Sequence, residues 1–179
     1  EAMKLLQLTD IHLTKPGNTI AGREPNENFQ KALHHAISHH PDAEAVFITG
    51  DLSDWGDRED YLRLKTEIAK SPLPVHLCIG NHDKRDVFLS VFPETADENG
   101  FVQSVVPLTE GTAILLDTWG PDTHAGFFCI ERQQWFDRKL NDAAGSVYVF
   151  MHHNPVPIGI APMDQIMLQD ADGFSQIVS

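Results

Sequence analysis

Residues 45–51, Ala45-Val46-Phe47-Ile48-Thr49-Gly50-Asp51, decide how this chain folds. The run is apolar and strand-length, and it reads as a strand. It stops on a glycine and a carboxylate. The same device recurs on either side. Lys4 to Thr9 ends in Asp10-Ile11-His12, Val75 to Ile79 ends in Gly80-Asn81-His82-Asp83, and Val147 to Met151 ends in His152-His153. Between the first three strands the apolar period changes. Phe29, Ala32, Leu33, Ala36 and Ile37 lie on one face of an amphipathic helix, and Tyr61, Leu64, Lys65 and Ile68 keep the same spacing. The Ser71-Pro72-Leu73-Pro74 punctuation closes that second helix. The order β-α-β-α-β predicts a layered α/β domain with helices outside a largely parallel sheet core. Beyond it, antiparallel strands are expected around Phe101 to Val106, Ala113 to Asp117 and Phe127 to Ile130, then a helix from Glu131 to Ala143 and another from near Asp170.

The chain has 179 residues, 41% hydrophobic and 22% charged, enough for one globular core. With 13 Lys+Arg against 26 Asp+Glu its formal net charge is −13, which opposes extended contact with a nucleic-acid backbone or an anionic membrane. A small phosphate ester is compatible with that charge, because bound divalent cations can reverse the sign of a site. The apolar runs are far below the roughly 18 to 20 residues that span a bilayer. No basic segment followed by an apolar stretch and a cleavage site opens the sequence, so the expectation is a cytoplasmic protein without membrane contact. Cys78 and Cys129 each sit in an apolar run without a CxxC partner and read as small buried thiols.

The chemistry lies where polar residues meet strand ends, the rim on which open α/β sheets bind ligands. Asp10 and His12, two apart in an extended segment, would point the same way. Carboxylate, imidazole and an amide oxygen together suit Zn, Mn or Fe. Asp51 has two oxygens and can bridge two cations. Such a pair generates hydroxide near neutral pH and clamps both oxygens of an in-line displacement at phosphorus. Gly50 and Gly80 then serve a sharp turn of the backbone away from the strand end.

The ordered blocks Asp10-x-His12, Gly50-Asp51, Gly80-Asn81-His82-Asp83 and His152-His153-x-Pro155 resemble the signature of the calcineurin-like metallophosphoesterases. The resemblance covers Met3 to about Val178 and implies a metallophosphoesterase-type β-sandwich flanked by helices. It implies that Asp10 and His12 hold one metal, Asn81 and His152 the other, and Asp51 bridges them. Asn81, His82 and His153 are the expected substrate contacts, with His82 assisting the leaving group. Either His152 or His153 can supply the late ligand; His152 directly follows the apolar strand and is preferred. The chain lacks the GDxVDRG pattern of the phosphoprotein phosphatases, and Asp83 replaces the glutamate of their GNHE. The stretch from His152 to Gly159, with Met163-Asp164, is similar to bacterial class III cyclic-nucleotide phosphodiesterases and glycerophosphodiesterases, which implies a small phosphodiester substrate and a homo-oligomer. A phosphomonoesterase, a nuclease and a metal-poor interaction domain are the competing expectations. The family closes its site with a Gly-His-x-His block, and no histidine follows His153. The chain therefore reads as a single domain, residues 1–179, cut before that block.

Other polar residues read as structural. His34, His35, His39 and His40 mark a solvated helix end, and His124 is expected on the surface of a Gly/Pro loop. Asp54, Asp57 and Asp60 look like the acidic first turn of the second helix. Asp83 is expected either to receive a ligand imidazole or to cap the following helix. Trp55, Trp119 and Trp135 read as core or rim.

Overall fold

The computed structural model describes residues 3–179. Strands β1 (Leu5–Leu8), β2 (Ala45–Thr49) and β3 (Val75–Cys78) form a parallel sheet in that order, with Leu6 opposite Val46 and Val46 opposite Val75. All five residues of the central strand are buried. Its two faces have different partners. Val46 and Ile48 join Phe29 and Leu33 of helix α1 (Pro25–His39) and Tyr61 and Leu64 of helix α2 (Arg58–Ile68). Ala45 and Phe47 pack instead with Ala113 and Leu115, and the Phe47 ring stacks on Phe150 at 4.2 Å. An apolar run without alternation is what a strand covered by helices on one side and a second sheet on the other requires.

The second sheet holds β4 (Ser104–Leu108), β5 (Gly111–Leu115) and β6 (Ser146–Phe150) in that order; β4 is antiparallel to β5, and β5 is parallel to β6. Short helix α3 (Arg85–Leu89) follows the first sheet, α4 (Ile130–Asp142) precedes β6, and α5 (Ala161–Gln165) and α6 (Ala171–Ile177) end the chain. Helices α4 and α6 pack through Phe136 and Phe174, whose rings stack at 5.6 Å. The molecule is thus an α/β sandwich of two sheets with helices outside, as expected.

Three details differ from the expectation. Phe127 to Ile130 is not a strand: the Phe128 N–H is taken by the Asp170 carboxylate, and α4 already begins at Ile130. Strand β4 starts later than Phe101, because the Val102 N–H is donated to Asp117 at 2.9 Å. The late part is mixed, since α4 carries the chain back across the sheet and sets β6 parallel to β5. Asp117, fully buried, also receives Arg85 through Nε at 2.6 Å and Arg132 at 3.4 Å, tying α3 and α4 to the end of β5. Both cysteines are free. Among the described residues no helix is long and apolar enough to cross a membrane.

Candidate metal centre

The loops leaving β1, β2 and β6, together with the turn after β3, meet around Asp51, which is 4% exposed. Asp10 and His12 converge on it by a different route from the extended one expected. Their φ angles are +54° and +43°, and Asp51 itself is at +48°. Left-handed backbone is unfavourable for side chains with a Cβ and concentrates at functional sites. Here it is held by a ladder that continues past the strands: Asp10 donates to Gly50 O at 3.1 Å and His12 to Asp51 O at 2.9 Å. Gly50 does serve the turn, at φ +99°. Gly80 serves space instead, since a Cβ there would lie 2.3 Å from Asp51 Oδ1.

Two groups of ligand atoms result, each with all atoms within 4.8 Å of one another: His12, Asp51 and His82, and Asp10, Asp51 and His152. Asp51 belongs to both. Asp10 is grouped with His152 and not with His12, whose Nε2 lies 3.9 Å from the Asp10 carboxylate. Asn81 Oδ1 comes within 3.2 Å of His152 Nε2.

The imidazoles share one orientation. Nδ1 of His152 faces Thr49 O at 3.0 Å, Nδ1 of His82 faces Asp54 O at 2.9 Å, and Nδ1 of His12 faces the Asp54 carboxylate at 3.0 Å. A carbonyl or carboxylate oxygen only accepts, so each Nδ1 carries the proton and each neutral ring keeps its Nε2 lone pair for the site. Asn81 is oriented likewise: its amide nitrogen pairs with His124 Nδ1 at 2.8 Å, leaving Oδ1 beside His152. Lone pairs of three imidazoles, an amide oxygen and two carboxylates thus converge with few protons between them, a donor set that fits divalent cations. Without a cation the carboxylates recruit a proton. The Asp10 carboxylate, with help from Asp51, raises His12 to about 9 against the burial that opposes its charge, and His12 in turn holds Asp10 down at about 2.

Asp54 does not belong to the acidic helix turn that its spacing with Asp57 and Asp60 suggests: α2 begins only at Arg58, and Asp54 orients two of the three histidines. Its spacing three residues after Asp51 was the available signal. Asp83 neither receives a ligand imidazole nor caps α3. Its carboxylate accepts the N–H groups of Leu52, Ser53 and Gly80 and the Tyr61 hydroxyl, at 2.8 to 3.1 Å, and burial pushes it up to about 6. His153 is 4% exposed with both nitrogens engaged: Nε2 donates to His124 O at 3.1 Å, and Nδ1 accepts from Thr118 at 2.7 Å. Burial pushes His153 down to about 4. His124 lies closer to the site than expected, its ring 5.3 Å from that of His82.

The family model described as calcineurin-like phosphoesterase matches residues 3–179. The chain is 35% identical to a probable cyclic nucleotide phosphodiesterase of Rhodopseudomonas palustris, over 99% of its own length and 66% of that protein. It is 30% identical to a probable glycerophosphodiester phosphodiesterase of Arcobacter nitrofigilis, over 93% of its length and 63% of that protein. Identity is 25% to the 3′,5′-cyclic adenosine monophosphate phosphodiesterase of Pseudomonas aeruginosa, over 98% of the chain and 64% of that protein. The chain therefore spans less than two thirds of the length of these relatives.

Proposed function

The chain belongs to the calcineurin-like phosphoesterase family, and from that premise we propose that it hydrolyses small phosphodiesters, of the cyclic-nucleotide or glycerophosphodiester type, at a centre holding two divalent metal ions. The observation that carries this reading is the sharing of Asp51 between two ligand groups. Asp51 would be shared by the two positions, His12 would hold one ion, His152 and Asn81 would hold the other, and Asp10 lies within reach of the second group. When bound, the ions supply Lewis acidity toward the phosphoryl oxygens and lower the pKa of water. The chain's own groups do the rest. The left-handed turns at Asp10, His12 and Asp51 hold the ligands in place before substrate arrives. His82 is held by Asp54 O through Nδ1; although its ring reaches one ligand group, we assign it to the substrate, where it would hydrogen-bond a phosphate oxygen and assist the departing alcohol. The relatives, named as cyclic nucleotide and glycerophosphodiester phosphodiesterases, support small diesters, and the charge of −13 disfavours a polymeric substrate.

The test is metal analysis and turnover on the full-length protein. Loading with Mn, Fe or Zn should bring two ions per chain and hydrolysis of bis-nitrophenyl phosphate faster than of the mono-ester. Faster mono-ester hydrolysis would make it a phosphomonoesterase, and one ion or none with no turnover would sink the proposal.

A further inference from the structure

Beside the metal centre runs a groove of about 630 Å³ whose lining includes Asn81, His82, Trp55, Lys84, Trp119 and His124. Its volume lies in the range of pockets that enclose small organic ligands. Trp55 is 68% exposed, the most exposed large apolar side chain among the described residues. A bulky apolar ring left in water is informative where a buried one is not. This ring is carried on a stiff turn. Ser53 Oγ accepts the N–H groups of Trp55, Gly56 and Asp57 at 2.9 to 3.3 Å, and Gly56, at φ +67°, packs closely on Lys84. The residue before Trp55 is Asp54, whose carbonyl fixes His82. The indole and the phosphate-facing imidazole are therefore positioned by one turn. Trp119 is anchored by its Nε1–H on Asp83 O at 2.6 Å. The Lys84 ammonium has no hydrogen-bond or ion-pair partner among the described residues.

We infer that Trp55 is the stacking platform for a heteroaromatic base, with Lys84 offering a donor to the ring's acceptor atoms, so that the site takes nucleoside phosphodiesters in preference to diesters of aliphatic alcohols. This rests on the reading of the centre as a diesterase. The chemistry favours a base over glycerol because a planar π-face gains from an exposed indole what a small polyol does not. Stacking also needs no positive field, which suits a chain of net charge −13.

The experiment uses the full-length, metal-loaded protein and compares a cyclic nucleotide with a glycerophosphodiester for the wild type, Trp55→Ala and Trp55→Phe. Trp55→Ala should raise KM for the nucleotide about 5- to 100-fold more than for the glycerol ester, and Trp55→Phe should restore most of it. Equal factors for both esters would overturn the platform while leaving the diesterase reading intact. A second readout needs no turnover. Adenosine monophosphate should quench the indole emission of the wild type and lose that quenching in Trp55→Phe. Quenching that persists unchanged in the variant overturns the assignment. Quenching lost in the variant, in a protein that hydrolyses neither ester, would support the base site and refute the diesterase.

Discussion

Asp51 is asked to do two things at once, and a neutral amide does both poorly. Asp51→Asn keeps the shape and the acceptor for the His82 N–H, which reaches Oδ1 at 2.9 Å, but loses the charge shared by both ligand groups. The expected outcome is loss of both ions together, read by metal analysis, with turnover falling in parallel; normal stoichiometry would remove Asp51 from the centre. Asp54 acts one step further out. Because its carboxylate takes the His12 Nδ1–H, Asp54→Ala frees the ring to rotate and to change tautomer. Removing such a partner costs about 10- to 100-fold in metal affinity or activity. A competition titration with a chelator measures it, and an unchanged affinity would make Asp54 merely structural. His82→Ala should keep most of the metal and slow hydrolysis by about 10² to 10⁴-fold, most for esters with poor leaving groups. Metal lost in proportion to activity would make His82 a ligand.

At the scale of elements, two buried carboxylates join pieces far apart in sequence. Asp83 clamps the turn after β2 to the turn after β3 and to Tyr61 on α2. Tyr61→Phe removes one bond to a buried carboxylate and should cost about 1.5 to 3 kcal/mol, seen as a lower denaturation midpoint at unchanged slope. Asp117 is the corresponding joint for α3 and α4. Asp117→Ala leaves Arg85 and Arg132 without their carboxylate, with Arg132 5% exposed, and should destabilise by about 3 to 5 kcal/mol. A loss below about 1 kcal/mol would show that the network contributes little.

At the scale of the whole molecule, the relatives extend beyond the length of this chain. The resemblance places a Gly-His-x-His block after His153, and we propose that a longer form supplies one further imidazole to each metal position. With His82 kept for the phosphate, His12 and Asp51 remain in the first group, while Asp10, Asp51 and His152 make up the second, so a further imidazole would bring the first position to the three ligands of a catalytic ion with an open position. A form extended to the relatives' length should bind Mn or Zn more tightly and turn over diesters faster than residues 1–179 alone. Equal affinity and equal turnover would show that the centre needs no later ligand.

Strand-length, mostly apolar runs ending on Asp10, Gly50-Asp51, Gly80-Asn81 and His152 made the strands and their chemical rim legible from sequence, because apolar content and abrupt polar stops are properties of short contiguous segments. The helices were legible for the same reason, their apolar period being local. What the tertiary structure alone decided involves partners far apart in sequence, such as His82 and Asp54, 28 residues apart, and Asp10 and His152. The pairing of Asp10 with His152, the orientation of His12 and His82 by Asp54, and the clamp made by Asp83 all depend on which loops are brought together. Phe127 to Ile130 has strand composition, but the Asp170 carboxylate takes its backbone donor and a helix starts in its place. Composition and spacing encode what a segment can bury; only packing assigns the lone pairs and protons that its polar ends are left with.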